Sequence, residues 1–234
     1  MQKENHLIAG AQLKSPSGYK SAEEVLWSQQ RIDNLLKRSF DFSVALTALA
    51  MLLPLLAIIC LSIWAVDGGA PFYSHRRVGR GRKAFGCLKF RTMRVDSEDA
   101  LAKHLKENPG ALAEWTQYRK LKDDPRITAL GQVLRKSSLD ELPQLINIVR
   151  GEMSIVGPRP IVDAEVEKYG DAASAYFAVR PGLTGAWQVS GRSDTTYAER
   201  VRLDHQYVAS RSFIGDVIII LRTIPAVFMV KGSY

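Results

Sequence analysis

Asp140 and Glu141 are adjacent carboxylates at the head of a stretch whose apolar residues, Leu142, Leu145, Ile146 and Val149, recur at helical spacing, with Gly151 as a stop. Such a pair can do phosphate chemistry. One carboxylate can attack phosphorus and form an acyl phosphate, dividing a hard displacement into two easier ones. A second can hold Mg²⁺, which neutralises charge on phosphate oxygens. Further on, Gly157-Pro158-Arg159-Pro160 is a stiff turn presenting one guanidinium, a group suited to bidentate contact with an oxyanion. The same acids also read as plain helix capping, because Ser138-Leu139-Asp140-Glu141 fits S-x-x-E. Pro143 opposes that register: it would then fall fifth in the helix and remove a hydrogen bond. With Asp140 as the cap, Pro143 falls third, where the N–H has no helical partner anyway. Spacing alone leaves both readings open.

A membrane is the first positioning element. Phe42–Val66 carries no charged residue over 25 positions, long enough to cross a hydrocarbon core of roughly 30 Å. Pro54 sits at its centre, where it removes a backbone hydrogen bond and favours a bend. Both flanks are basic, with Arg31, Lys37 and Arg38 before the run and Arg76, Arg77, Arg80, Arg82 and Lys83 after it. A crossing would put one cluster on the face that basic loops avoid. A re-entrant helix bent at Pro54, with both flanks in the cytoplasm, is therefore the expectation; one kinked span is the alternative. No cleavable signal peptide is expected, since the first apolar stretch begins only near residue 42.

The rest of the 234 residues bounds the partners. A net charge of +8 and a pI near 9.5 favour acidic ones: nucleic acid, anionic lipid or a phosphorylated small molecule. Cys60 and Cys87 make no ligand pair or disulfide framework, which fits a reducing compartment. Residues 1–30 are mixed and polar and read as a mobile tail. Gly68-Gly69-Ala70-Pro71 turns the chain out of the apolar run, and Gly68–Val95 holds eight Lys/Arg and no acid. Phe72–Val78 and Ala84–Met93 predict a β-hairpin around Gly79-Arg80-Gly81, its basic tip suited to anionic headgroups. Gly79–Ala84 formally matches G-x-G-x-x-A, but a strand and not a helix follows, so a dinucleotide site is not expected. Lys89 and Arg91 on the second strand can reach a substrate phosphate.

Helices are expected over Asp96–Glu107, Ala111–Lys122, Ile161–Lys168 and Tyr197–Ser210. Arg180-Pro181-Gly182-Leu183-Thr184-Gly185 and Trp187–Arg192 form a glycine- and arginine-bearing loop where backbone can approach a ligand. Phe213–Val230 is apolar but interrupted by Asp216, Arg222 and Pro225, as for a helix lying in a membrane interface.

Six segments then occur in the order found in one family: Lys37–Phe42 with the Pro54 run, Arg76–Gly79, Lys89–Met93, Ser138–Gln144, Val156–Pro160 and Arg180–Gly185. Over about residues 34–232 the chain resembles the bacterial sugar transferases, the monotopic polyprenyl-phosphate phosphoglycosyl transferases. It is most similar to the exopolysaccharide-initiating members, whose loop reads Trp-Gln-Val-Ser-Gly-Arg as here at 187–192. Small members often carry a serine before the hairpin proline; this chain has Leu53, so Pro54 must supply the bend.

The resemblance implies an α+β, mainly helical fold. Residues 1–30 would be a tail, 31–67 a re-entrant membrane helix, and 68–234 a small cytoplasmic catalytic domain with a short β-hairpin and interfacial helices. It implies Asp140 as nucleophile on a UDP-hexose, releasing UMP, and undecaprenyl phosphate as acceptor. Glu141, with Asp140, would bind Mg²⁺. Arg159, Lys89, Arg91, Lys37 and Arg38 would lie near phosphates, and Arg180, Arg192 and Asp204 would be nucleotide or structural contacts. The location implied is the cytoplasmic face of the bacterial inner membrane, among inner-membrane lipid, without nucleic acid, and with homo-oligomerisation left open. A membrane-tethered nucleic-acid binder is the alternative from another class; it leaves Asp140, Glu141 and Pro54 without a role, and no binding motif supports it. A D-x-D metal-dependent glycosyltransferase is disfavoured because no Asp-x-Asp triplet occurs.

Overall fold

A computed structural model describes residues 22–118, 120–190 and 195–228. The chain divides into two units, Met1–Lys37 and Arg38–Tyr234, and α1 begins in the first. Helix α1, Ala22–Asp67, runs as one 46-residue segment with Pro54 inside it. Residues 22–30, expected in the tail, are thus already helical. Helical backbone continues through Pro54, and the re-entrant bend expected there is not shown by this helix alone.

Within the second unit α1 is held at both ends of its apolar run. Asp41, fully buried, accepts hydrogen bonds from Ser154 Oγ at 2.7 Å and the Ile155 N–H at 3.2 Å. At the other end Asp67 accepts both Arg91 Nη1, at 3.0 Å, and Nη2, at 2.5 Å, with the Val95 N–H at 3.1 Å. Between them Ala45, Leu49 and Leu52 pack with Leu145, Ile148 and Met153, while Ile59 and Ile63 pack with Phe90 and Leu134. The opposite face leaves Met51, Leu53, Ile58, Leu61 and Trp64 exposed.

The hairpin forms as the sequence implies. Strands β1 (Phe72–Val78) and β2 (Ala84–Phe90) pair antiparallel, with Phe72 opposite Phe90 and Val78 opposite Ala84. Helices α2 (Ser97–Glu107) and α3 (Pro109–Tyr118) follow, the break falling at Asn108 as expected. Helix α4 (Ala129–Lys136) starts at Thr128, whose hydroxyl caps the Gly131 N–H at 2.9 Å. It lies tight on the strand exit: a Cβ on Gly131 would meet Thr92 O at 2.0 Å. Helix α5 (Gln144–Arg150) ends at Gly151, whose φ of +82° suits glycine. Asn147 of α5 binds the free edge of β2, accepting from Leu88 N at 3.0 Å and donating to Gly86 O at 2.8 Å. That clamp fixes β2 against α5.

Strand β3 (Ser154–Val156) then pairs in parallel with β4 (Gly182–Thr184), with α6 (Asp163–Tyr169) and α7 (Ala173–Ala178) between them. The two backbones approach so closely that a Cβ on Gly182 would fall 2.1 Å from Gly157 N. Helix α8 (Tyr197–Ser210) and α9 (Phe213–Phe228) complete the described chain. One side of α9 enters the core through Ile219 and Ile220, and its buried Asp216 accepts Tyr207 Oη at 2.8 Å. The other side exposes Ile214, Ile218 and Leu221.

Candidate active site

The acids do not cap a helix. Leu139–Glu141 form a single 3₁₀ turn entered from Ser138 in the left-handed region (φ +58°), and α5 begins only after Pro143. Ser138 makes no side-chain cap bond. Neither register read from the sequence survives: Pro143 stands just ahead of the helix, where its missing N–H costs nothing. A non-glycine residue in this conformation is strained by about 1 kcal/mol or more, a cost typical of functional loops. The turn is seated by Leu139 and Leu142, which pack against the cluster that Ile59 and Ile63 of α1 form with Phe90 and Leu134. The acid pair therefore sits beside a cluster to which the apolar helix contributes.

Lys89, projecting from β2, meets both carboxylates: its Nζ is 3.3 Å from Asp140 Oδ2 and 2.6 Å from Glu141 Oε1. Burial works against each charge, and the three offset one another. Burial raises the Asp140 pKa above the usual carboxylate range, with Lys89 and Arg135 acting against it. For Glu141 burial is outweighed by Lys89, Arg159 and Arg77, and its pKa falls. The Lys89 pKa rises, because its two acids more than offset burial.

An open cleft lies alongside, walled by Arg77, Lys89, Glu141, Arg159, Leu183 and Gln188. Glu141 is on the wall, whereas Asp140, its side chain 12% exposed, is not among the lining residues. Arg159 comes from the turn after β3, with its guanidinium 5.8 Å from the Trp187 ring centre. Arg77 of β1 is the cation that sequence reading left out of the site. It donates to Pro160 O at 3.2 Å, lies 3.7 Å from Glu165, and donates to His75 Nδ1 at 3.1 Å. Burial, Arg77 and Lys89 lower the His75 pKa, which fits a neutral ring accepting that bond. The alternation of β1, with Arg77 on the face opposite Arg76, was the available signal. Arg135 was missed as well: its Nε donates to Thr92 Oγ1 at 2.9 Å, and its charge acts on Asp140.

Arg91, Arg38, Arg180 and Asp204 do not line the cleft. Arg91 is bound to Asp67 and does not line the cleft. Arg38 donates to Ile148 O at 2.5 Å and Val149 O at 2.8 Å, and Arg180 donates to Gly151 O at 2.7 Å. Arg38 thus closes late carbonyls of α5, and Arg180 the carbonyl of the glycine that ends it. Lys37 belongs to the first unit and is not placed relative to the cleft. Asp204 is buried in α8, where it accepts Tyr169 Oη at 2.8 Å, away from the cleft. Arg192 lies outside the described residues. No group of three or more His, Cys, Asp or Glu gathers among the described residues. Two adjacent carboxylates beside a cationic wall still fit Mg²⁺, which keeps several waters and takes one or two carboxylates together with substrate phosphates.

Residues 32–230 match the family model described as bacterial sugar transferase. The chain belongs to that family. It is 53% identical over 203 residues to exopolysaccharide production protein ExoY of Sinorhizobium fredii, covering 87% of this chain and 90% of that one. It is 51% identical over 199 residues to the UDP-galactose-lipid carrier transferase of Erwinia amylovora, covering 85% of this chain and 42% of that protein. Over 205 residues it is 45% identical to the undecaprenyl-phosphate galactose phosphotransferase of Salmonella typhimurium, covering 88% of this chain and 43% of the other. The two transferases are thus more than twice as long as the part this bacterial sugar transferase matches.

Proposed function

We propose that the protein transfers a hexose 1-phosphate from a UDP-hexose to undecaprenyl phosphate, as the initiating step of exopolysaccharide synthesis. The observation that carries this reading is the acid pair shared by Lys89, beside a cationic cleft and next to an apolar cluster that includes Ile59 and Ile63 of α1. A carboxylate oxygen of Asp140 attacks the sugar-linked phosphorus. The phosphoanhydride P–O bond breaks, and UMP leaves with the bridging oxygen and its electron pair. A phosphate oxygen of undecaprenyl phosphate then attacks the same phosphorus, breaking the acyl-phosphate bond and returning Asp140 as carboxylate. Arg77, Arg159 and Lys89 hold the phosphate oxygens and offset charge as it moves. Glu141, with Asp140, would hold Mg²⁺, which supplies further neutralisation of the diphosphate. Galactose occurs in the names of both transferase relatives, so UDP-galactose is the donor to test first and UDP-glucose second.

The re-entrant topology belongs to the same reading. Asp41 and Asp67 are separated by about 39 Å of helix at the ordinary rise per residue, yet both are bound by one catalytic unit. A straight crossing would carry one anchor through the bilayer, while a helix dipping in around Pro54 keeps both on the cytoplasmic face. The exposed stripes of α1 and α9 supply lipid-facing surface.

Purified protein given labelled UDP-galactose without lipid should release UMP and retain sugar label on the protein, and Asp140→Asn should retain none. UMP release only when lipid phosphate is present would sink the two-step scheme. The greater exposure of Glu141 makes it the rival nucleophile; label persisting in Asp140→Asn but not in Glu141→Gln would reassign the role.

A further inference from the structure

Among the described residues three buried side-chain polar atoms have no hydrogen-bond partner: Arg91 Nε, Asp204 Oδ1 and Gln188 Oε1. Only Gln188 lines the cleft. Its carboxamide is set one way round by a neighbour, since Nε2 donates to Leu183 O at 3.3 Å. Reversed, the amide would set oxygen against carbonyl oxygen. The oxygen lies over Gly185, where an added Cβ would stand 2.6 Å from it. Glycine there leaves the carboxamide its place.

A buried acceptor without a donor is unfavourable unless water or a ligand completes it. Among the other polar side chains of the wall, Arg77, Lys89 and Arg159 suit phosphate and Glu141 suits a cation, while the second carboxamide, Gln144, has no atom among the unpartnered ones. The four ionic groups do not read a neutral hydroxyl selectively. We propose that Gln188 is a specificity-determining residue whose carboxamide oxygen accepts a hydrogen bond from a hydroxyl group of the nucleotide-sugar donor. The inference rests on the transfer reaction proposed above. Hexose and ribose hydroxyls share this chemistry, and the donor panel separates them.

The test compares wild type, Gln188→Met and Gln188→Glu on UDP-galactose, UDP-glucose and the 2′-deoxyuridine analogue of UDP-galactose. Donor affinity is read by calorimetry, turnover by UMP release and folding by melting temperature. Gln188→Met, of similar length but without the acceptor, should raise donor Kd and KM about tenfold with kcat changed less. It should also level discrimination between the epimeric hexoses, or between ribose and deoxyribose, according to which hydroxyl is read. Gln188→Glu keeps an oxygen acceptor and should keep the wild-type discrimination ratio even where its charge weakens every donor. Equal Kd for wild type and Gln188→Met overturns the proposal. So does equal loss of discrimination in both variants together with lowered melting temperatures, which would mark a structural role. A wild type that binds UDP-sugars but releases no UMP defeats the transfer reading instead, and the Kd comparison still decides the role of Gln188.

Discussion

Lys89 Nζ stands between Asp140 and Glu141, 3.3 Å from one carboxylate and 2.6 Å from the other. One ammonium thus holds two acids of adjacent residues in a partly buried site, and it acts to keep Asp140 ionised against the burial that raises its pKa. Lys89→Met removes that help, so the Asp140 pKa should rise further. The acid limb of the UMP-release profile should then move to higher pH, and kcat/KM at neutral pH should fall by about 100-fold. An unshifted acid limb in Lys89→Met would separate Lys89 from the ionisation of Asp140.

Two arginines make a matched pair for mutation. Arg77 lines the cleft, whereas Arg38 is bound to the last carbonyls of α5. Arg77→Leu should raise donor KM about tenfold or more, besides any melting temperature lost with its bonds to Pro160 O and His75. Arg38→Leu should lower the melting temperature and leave donor KM near wild type. Steady-state kinetics beside thermal unfolding of both variants checks the assignment, and the reverse pattern would refute it.

The Asp67–Arg91 pair ties the far end of α1 to the residue that follows β2. Asp67→Asn leaves a largely buried guanidinium without its counter-charge and should cost about 2 kcal/mol of stability. Denaturant unfolding in detergent measures it. Were Arg91 a phosphate ligand instead, the same substitution would free it for substrate and alter donor KM with stability unchanged.

Asp204 is nearly inaccessible, and burial pushes its carboxyl up to about 7, with the Tyr169 hydrogen bond acting the other way. A raised carboxyl pKa means the folded state holds a proton that the unfolded chain releases near pH 4. Its stabilising effect is complete below that pH and is lost as pH rises toward about 7. The loss is on the order of 4 kcal/mol. Asp204→Asn should therefore be more stable than wild type at pH 8 and lose the advantage by pH 4. Parallel wild-type and variant stability curves over that interval would contradict the buried-acid account.

Much of the molecule was legible without coordinates. The β1–β2 hairpin, the break at Asn108, the Gly151 stop and the span of α8 all follow from short-range chemistry: alternation, proline geometry and glycine's access to positive φ. Asp140, Glu141, Lys89 and Arg159 were likewise marked by residue type and motif order. What sequence could not fix was how each charged side chain is used. The two arginines Arg77 and Arg91 share one basic segment, yet one faces the cleft and the other an aspartate at the end of α1. Guanidiniums satisfy carbonyls, carboxylates and phosphates alike, so only the packing of distant segments decides which partner lies within reach. The same holds for the acid pair. Its local sequence fits a helix cap, but Leu139 and Leu142 pack against a cluster drawn from α1, β2 and α4 and hold it instead as a strained turn under Lys89. Local sequence sets which conformations are cheap, and long-range burial selects among them.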